Sequence, residues 1–342
     1  LAKEQRHPGR RGRAARLMPG VRQGELGGAG KEISPLDSEV VNLFRSAIDA
    51  YLEELGSALE PAGSYLPYDF DFIHNHEWHI FGNQMVEDEL RELTNIMNRW
   101  CGDLHRWHAW NNVIRSYGEN EAWKIRREFV EALVHHCLLE PSAVRDRFTF
   151  VATNAFHQIR LSSEEGYKDR LEGDPKNPNE KSVFLSRGKK EKRLEKVISI
   201  WSESKRFLES IAAINDRSYQ RATYDYRNRV NHAIGPRLGV GITQAVTRSV
   251  VQATHLKKQP DGTYRDEPIP GKLSVRYGVG GTQPIDLEEA RTSNLKQYQL
   301  AQTCYNRYFE LLKSKVACIK MKAENAGKDH EKALWEKAFS EV

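Results

Sequence analysis

Cysteine is scarce in this chain. Cys101, Cys137, Cys304 and Cys318 are scattered through 342 residues with no CxxC spacing. That excludes a disulfide framework and a zinc site built on cysteine pairs. Cys304 and Cys318 are expected to share one helix face as buried thiols, and unpaired cysteines predict a cytoplasmic setting. No run approaches the roughly 18 apolar residues needed to span a bilayer, and no apolar stretch marks a secretory signal near the N-terminus. The expectation is therefore a protein without a membrane partner. Phosphate-loop and triad chemistry are also missing. The segment GELGGAGKE (24–32) has Glu25 where a phosphate loop needs glycine and Glu32 where it needs Ser or Thr. Gly278-Val279-Gly280-Gly281 has no following lysine and helix, and no nucleophile-elbow pattern occurs.

Charge is abundant but unevenly placed. The net charge is +5, while residues 1–31 carry eight Lys or Arg against Glu4 and Glu25, leaving the rest of the chain near −1. The 1–31 segment, rich in Arg and Gly and poor in large apolar residues, is predicted to be a disordered basic tail. Nucleic-acid contact would then come from that tail or from local patches, not from a uniformly basic body.

Hydrophobic periodicity predicts helices over 38–58, 86–117, 120–138, 141–162 and from Asp286 onward. Pro141 is expected to open its helix, where its missing N–H costs nothing. Residues 163–190 lack periodicity and are expected to be a loop or insertion. VTRSVVQATHL (246–256) and KLSVRYGV (272–279) predict a small antiparallel sheet turning at Pro260-Asp261-Gly262. The organisation read from this is a tail (1–31), an N-terminal helical region (32–162), a loop (163–190) and a last region (191–342). That last region holds a β insertion at about 240–285 and a C-terminal helix. The fold class is mainly α with a small antiparallel β insertion.

Two conspicuous clusters have plain explanations. His74, His76 and His79 lack the cysteine or carboxylate partners of a metal geometry, so an ordered aromatic loop is expected there. Trp100, Trp107 and Trp110 on one predicted helix are expected in the core, as is the His135-His136-Cys137 stretch.

The most informative segment is YDYRNRVNHAIGP (224–236). A helical pattern runs from Leu194 to Ala233, with a possible break near Asn215-Asp216, and Gly235-Pro236 stops it. Tyr226, Val230 and Ala233 fall on the expected core stripe, leaving Arg227, Asn228, Asn231 and His232 on the other faces. Arginine neutralises phosphate and histidine moves protons near neutral pH, which together suffice to cleave RNA without a metal. An Arg five positions before a His is expected about once by composition, from 30 Arg and 12 His; demanding Asn directly after the Arg makes it about twenty-fold rarer.

This arginine, polar residue, three residues, histidine pattern resembles the signature of the HEPN superfamily of helical proteins. Many of these are metal-independent ribonucleases of toxin, antiviral and RNA-processing systems. The resemblance implies a HEPN-like helical bundle and Arg227, Asn228 and His232 as catalytic residues, with RNA as substrate and no cofactor. Asn231, Arg229 and Tyr224 are the expected RNA contacts. On an ideal helix Arg227 and His232 point about 140° apart, so a composite site shared by a homodimer is implied. The alternative is a non-catalytic HEPN-like module that binds RNA, a nucleotide or a protein partner such as an antitoxin.

Overall fold

The computed structural model describes residues 35–57, 64–177, 179–181 and 183–322. The expected basic tail at 1–31 and the end of the chain beyond residue 322 lie outside the described residues. Contacts divide the chain after Asn42. Of the first unit only the beginning of α1 (Pro35–Ser57) is described. The second unit, from Leu43 onward, holds every other element.

Three long helices make its core: α2 (Gly82–Arg115), α4 (Glu131–Ser163) and α9 (Leu287–Val316), each packed on the other two. In α2 the buried positions Val86, Leu90, Leu93, Met97, Trp100, Leu104 and Trp107 recur every three or four residues. Trp100 and Trp107 are fully buried and Trp110 nearly so, as expected for the tryptophan-rich face. Helix α9 begins at a true cap, where the Asp286 carboxylate accepts from the N–H groups of Glu288 and Glu289 at 2.9 and 2.8 Å. It ends at Val316, so Cys318 leaves the helix and is exposed, whereas Cys304 is buried. The shared buried face expected of these two thiols is thus corrected by where the helix stops.

Helix α4 corrects a second expectation. Pro141 lies inside it and starts no new helix. A proline there removes the N–H that would reach the carbonyl of residue 137 and crowds the preceding turn. Another helix supplies the missing donor: Asn294 of α9 gives its side-chain N–H to the Cys137 carbonyl at 2.7 Å. The Leu138 carbonyl accepts from the Tyr219 hydroxyl at 3.3 Å. The same Asn294 contacts the Tyr219 hydroxyl at 2.8 Å and accepts from Trp100 Nε1 at 2.8 Å. One fully buried amide thus ties α2, α4, α9 and α7 (Arg217–Ala222) together.

The single helical pattern expected from Leu194 to Ala233 is four short helices: α5 (Arg187–Ile198), α6 (Ser204–Ala213), α7 and α8 (Tyr226–His232). The break foreseen at Asn215-Asp216 is present. Asn215 is left-handed at φ 54°, its N–H meets Gln297 at 2.6 Å, and Asp216 caps α7. A further break falls at Tyr224 and Asp225, both at φ 51°. Non-glycine residues seldom adopt this region, so composition gave no warning of it.

Two strands, β1 (Val246–Lys258) and β2 (Tyr264–Val279), form one antiparallel ribbon. It turns through 259–263, with Gly262 at φ 86° supplying the left-handed step at the expected turn. Its register pairs Val246 with Val279, Arg248 with Tyr277, Val250 with Val275 and Gln252 with Leu273 on one face. At the ribbon's base, a Cβ on Gly281 (φ 71°) would stand 2.7 Å from the Thr243 carbonyl, so only glycine closes it. The chain is thus mainly α with a small β insertion, and no described helix is long and apolar enough to cross a membrane.

Replacing Asn294 by Ala strands the Trp100 N–H and the Cys137 carbonyl in the core and leaves the Tyr219 hydroxyl only its bond to the Leu138 carbonyl. We expect a loss of roughly 2–4 kcal/mol in urea unfolding, because buried groups left without partners carry their full desolvation cost. A loss below about 1 kcal/mol would show that the amide is not the tie described here.

Candidate functional site

Helix α8 is only seven residues long and is held at fixed points. Tyr226 is buried, its hydroxyl 3.0 Å from His135 Nδ1 on α4 and its ring edge-on to that imidazole. Burial, with the Glu131 carboxylate adding to it, pushes the Tyr226 phenol up to about 12. The left-handed Asp225 precedes the helix and accepts from Asn228 Nδ2 at 3.1 Å. Arg229 reaches the base of the ribbon, donating to Thr282 Oγ1 and Gln244 Oε1, each at 3.0 Å. Val230 packs against the core. Ala233, expected on the core stripe, is exposed because the helix has already ended at His232.

The remaining side chains of the helix face outward. Arg227, Asn231 and His232 are exposed and make no side-chain hydrogen bond or ion pair with any described residue. Asn228, expected among the catalytic residues, is turned back to Asp225. Arg229 is engaged by the ribbon, and Tyr224 lines an open groove of about 630 Å³ with Arg217, Gln220, Arg221 and Asp225. The structure therefore rigidly positions the backbone of the motif while leaving one guanidinium and one imidazole free for an external anion.

A second group of charges had no clear sequence signal. His136, expected to be a satisfied core residue, is instead part-exposed. Its Nδ1 lies 2.9 Å from Asp103 and its Nε2 3.0 Å from Glu140. Arg106 pairs with Asp103 at 2.8 Å and Arg147 with Glu140 at 3.3 Å. The two carboxylates are buried, and their hydrogen bonds raise the His136 imidazole to about 9. Glu140 stands four residues after His136 and was visible in the sequence; Asp103 comes from α2 and was not.

No group of three or more His, Cys, Asp or Glu among the described residues is arranged to hold a metal. Of the 74–79 histidines, His74 lies 3.5 Å from Glu87, while burial lowers the pKa of His76.

Comparison of the chain with family models, curated proteins and solved structures finds no match.

The His136 cluster makes stability depend on pH. Its folded pKa is raised, so its contribution is complete below the unfolded value near 6.5 and is lost as pH climbs through about 9. Glu89, part-buried and raised to about 7 by burial, acts in the same direction over a lower window, from its ordinary 4.5 upward. Thermal melts from pH 5 to 10 should show a falling melting temperature. His136→Gln should flatten the upper part and Glu89→Gln the lower. An upper slope unchanged by His136→Gln would remove this account.

Proposed function

We propose that the protein is a metal-independent endoribonuclease of HEPN type. The observation that carries this reading is the pair Arg227 and His232, exposed and unpartnered on a helix that Tyr226, Asn228 and Arg229 hold in place. His232 in its neutral form takes the proton of a ribose 2′-OH, and the freed oxygen attacks the adjacent phosphorus. The bond to the 5′ oxygen breaks and that oxygen receives a proton, leaving a 2′,3′-cyclic phosphate and a 5′-OH. Arg227 stabilises the extra negative charge of the five-coordinate phosphate. Asn228, by bonding Asp225, fixes the start of the helix; Tyr224 with Arg217 and Arg221 offers a stacking and cationic surface to the flanking strand.

Arg227 and His232 approach one phosphate most readily when two copies set their motifs together, so the active form in this reading is a homodimer. The ribbon supports it. Val246, Val250, Leu273, Val275, Tyr277 and Val279 are all exposed on one face of a two-stranded sheet. Such ribbons are marginal alone and seldom leave so many apolar groups in water. Two-fold, self-complementary contact is the commonest way to cover such a face. The second reading is a non-catalytic HEPN-like module, in which the same face receives a protein partner and no RNA is cut.

Total RNA incubated with the protein in EDTA decides between them. The parent should cut, and His232→Ala should lose roughly 10²–10⁴-fold in rate. Arg227→Ala should lose a comparable amount, with Arg227→Lys recovering only part because the planar fork is gone. Both side chains are exposed, so melting temperatures should hardly move. Folded variants that cut as well as the parent would end the ribonuclease reading.

The dimer is tested at the ribbon. Val250→Arg with Val275→Arg should convert the sedimenting species from dimer to monomer and abolish cleavage while the helical circular dichroism is kept. A parent that is monomeric and fully active would remove the composite site.

A further inference from the structure

Beside α8 lies a cleft of about 340 Å³ whose charges are not balanced. Its walls come from α3 (Glu119–Ile125), the π-helical turn Arg126–Val130 that follows, and the 236–240 loop after α8. Three guanidiniums converge there, from Arg126, Arg127 and Arg237, against the single carboxylate of Glu131. None of the three has a carboxylate or a side-chain hydrogen-bond partner among the described residues. Arg145, Arg160 and Arg187, part-buried elsewhere in the unit, and the buried Arg291 each hold a carboxylate within 2.8 Å. Arg193, Arg229 and Arg307, part-buried without a carboxylate, each donate to another oxygen instead; the part-buried Arg126 has neither.

The backbone around them is also specialised. A π-turn inserts one residue into a helix and is frequent at functional positions; here it carries Arg126 and Arg127. Gly239 lies flat on the Arg126 side chain: at φ 75°, a Cβ there would stand 3.0 Å from Nε and 3.2 Å from the guanidinium carbon. Arg126 Nε is consequently buried with no acceptor. Leaving such a donor unmet is costly unless a ligand meets it. Arg127 sits over the Trp123 ring at 5.4 Å, and that ring is 45% exposed at the cleft edge.

We propose that this cleft is a nucleotide subsite. The three arginines take the phosphate, Trp123 stacks on the base, and Glu131 accepts a hydrogen bond from a ribose hydroxyl or a base amino group. Planar guanidiniums match phosphate oxygens, and an indole face accepts any base. Tyr226 forms part of the cleft wall and is also the first residue of the motif helix. The inference therefore rests on the ribonuclease reading in one respect: it names where the RNA strand is gripped beside the scissile phosphate. The same chemistry also suits a free mononucleotide.

The test is fluorescence anisotropy of a labelled ten-nucleotide single-stranded RNA, with EDTA, on His232→Ala protein so that nothing is cut. Arg126→Ala, Arg127→Ala and Arg237→Ala should each weaken binding and lower the salt slope of log K by about 0.7. Trp123→Ala should weaken it roughly 5- to 100-fold, with Trp123→Phe restoring most of the loss. Arg127 and Arg237 are exposed, so their variants decide the matter even if Arg126→Ala unfolds. Competing AMP that displaces the RNA at millimolar concentration assigns the cleft to mononucleotides; displacement by unlabelled RNA alone assigns it to the strand. The proposal is overturned if the cleft variants bind as the parent does. It is equally overturned if Trp123→Ala is silent while the arginine variants weaken heparin and RNA alike, which marks a general polyanion patch. Cleavage by parent protein is scored separately. A parent that fails to cut while cleft variants lose binding removes the ribonuclease and keeps the subsite. A parent that cuts, with cleft variants unaffected in binding, removes only the subsite.

Discussion

The side chain of Asn294 is the tie on which the helical core depends. Pro141 leaves a carbonyl of α4 without its helical donor in the middle of the molecule, and the buried amide on α9 meets that carbonyl at 2.7 Å. A donor inserted there fixes the height and rotation of α9 against α4, and the bond from Trp100 to the same amide fixes α2. Tyr219 joins the network from α7 and also bonds the Leu138 carbonyl. Buried polar networks of this kind specify one arrangement because every alternative leaves a group unsatisfied.

The motif helix inherits its position from that arrangement. Helix α7 is locked by Tyr219, and the chain then passes through two left-handed residues that redirect it into α8. There the Tyr226 hydroxyl meets His135 on α4. On its far side Arg229 grips the base of the ribbon. A seven-residue helix would not be stable alone; this one is held by its neighbours at both ends. What remains free on it is what a phosphate would require: an arginine and a histidine with no internal partner.

The arginines divide in the same way. Arg145, Arg160, Arg187 and Arg291 brace the helices through carboxylates; Arg126, Arg127 and Arg237 around the cleft and Arg227 on α8 hold none among the described residues. A protein whose charge outside its first 31 residues is nearly balanced still places the guanidiniums of Arg126, Arg127, Arg227 and Arg237, without carboxylate partners among the described residues, on or beside one short helix. The ribbon adds an unneutralised surface of another kind, apolar rather than charged, on the element that Arg229 anchors.

The sequence by itself determined the helical class, the ribbon with its turn at 260–262, the burial of the tryptophan face and the break at Asn215-Asp216. Each follows from local rules: apolar spacing, turn chemistry and the preferences of Pro, Gly and Asp. The exposure of Arg227, Asn228 and His232 is likewise as the periodicity implied. Only the tertiary structure decided that Pro141 would be absorbed into α4, because its missing bond is supplied from 153 positions later in the chain by Asn294. Tertiary contacts likewise decided the break at Tyr224-Asp225, the protonated His136 between carboxylates of two helices, and the gathering of Arg126, Arg127 and Arg237 in one cleft. These depend on groups distant in sequence meeting in low-dielectric surroundings, and no local pattern records which of them will meet.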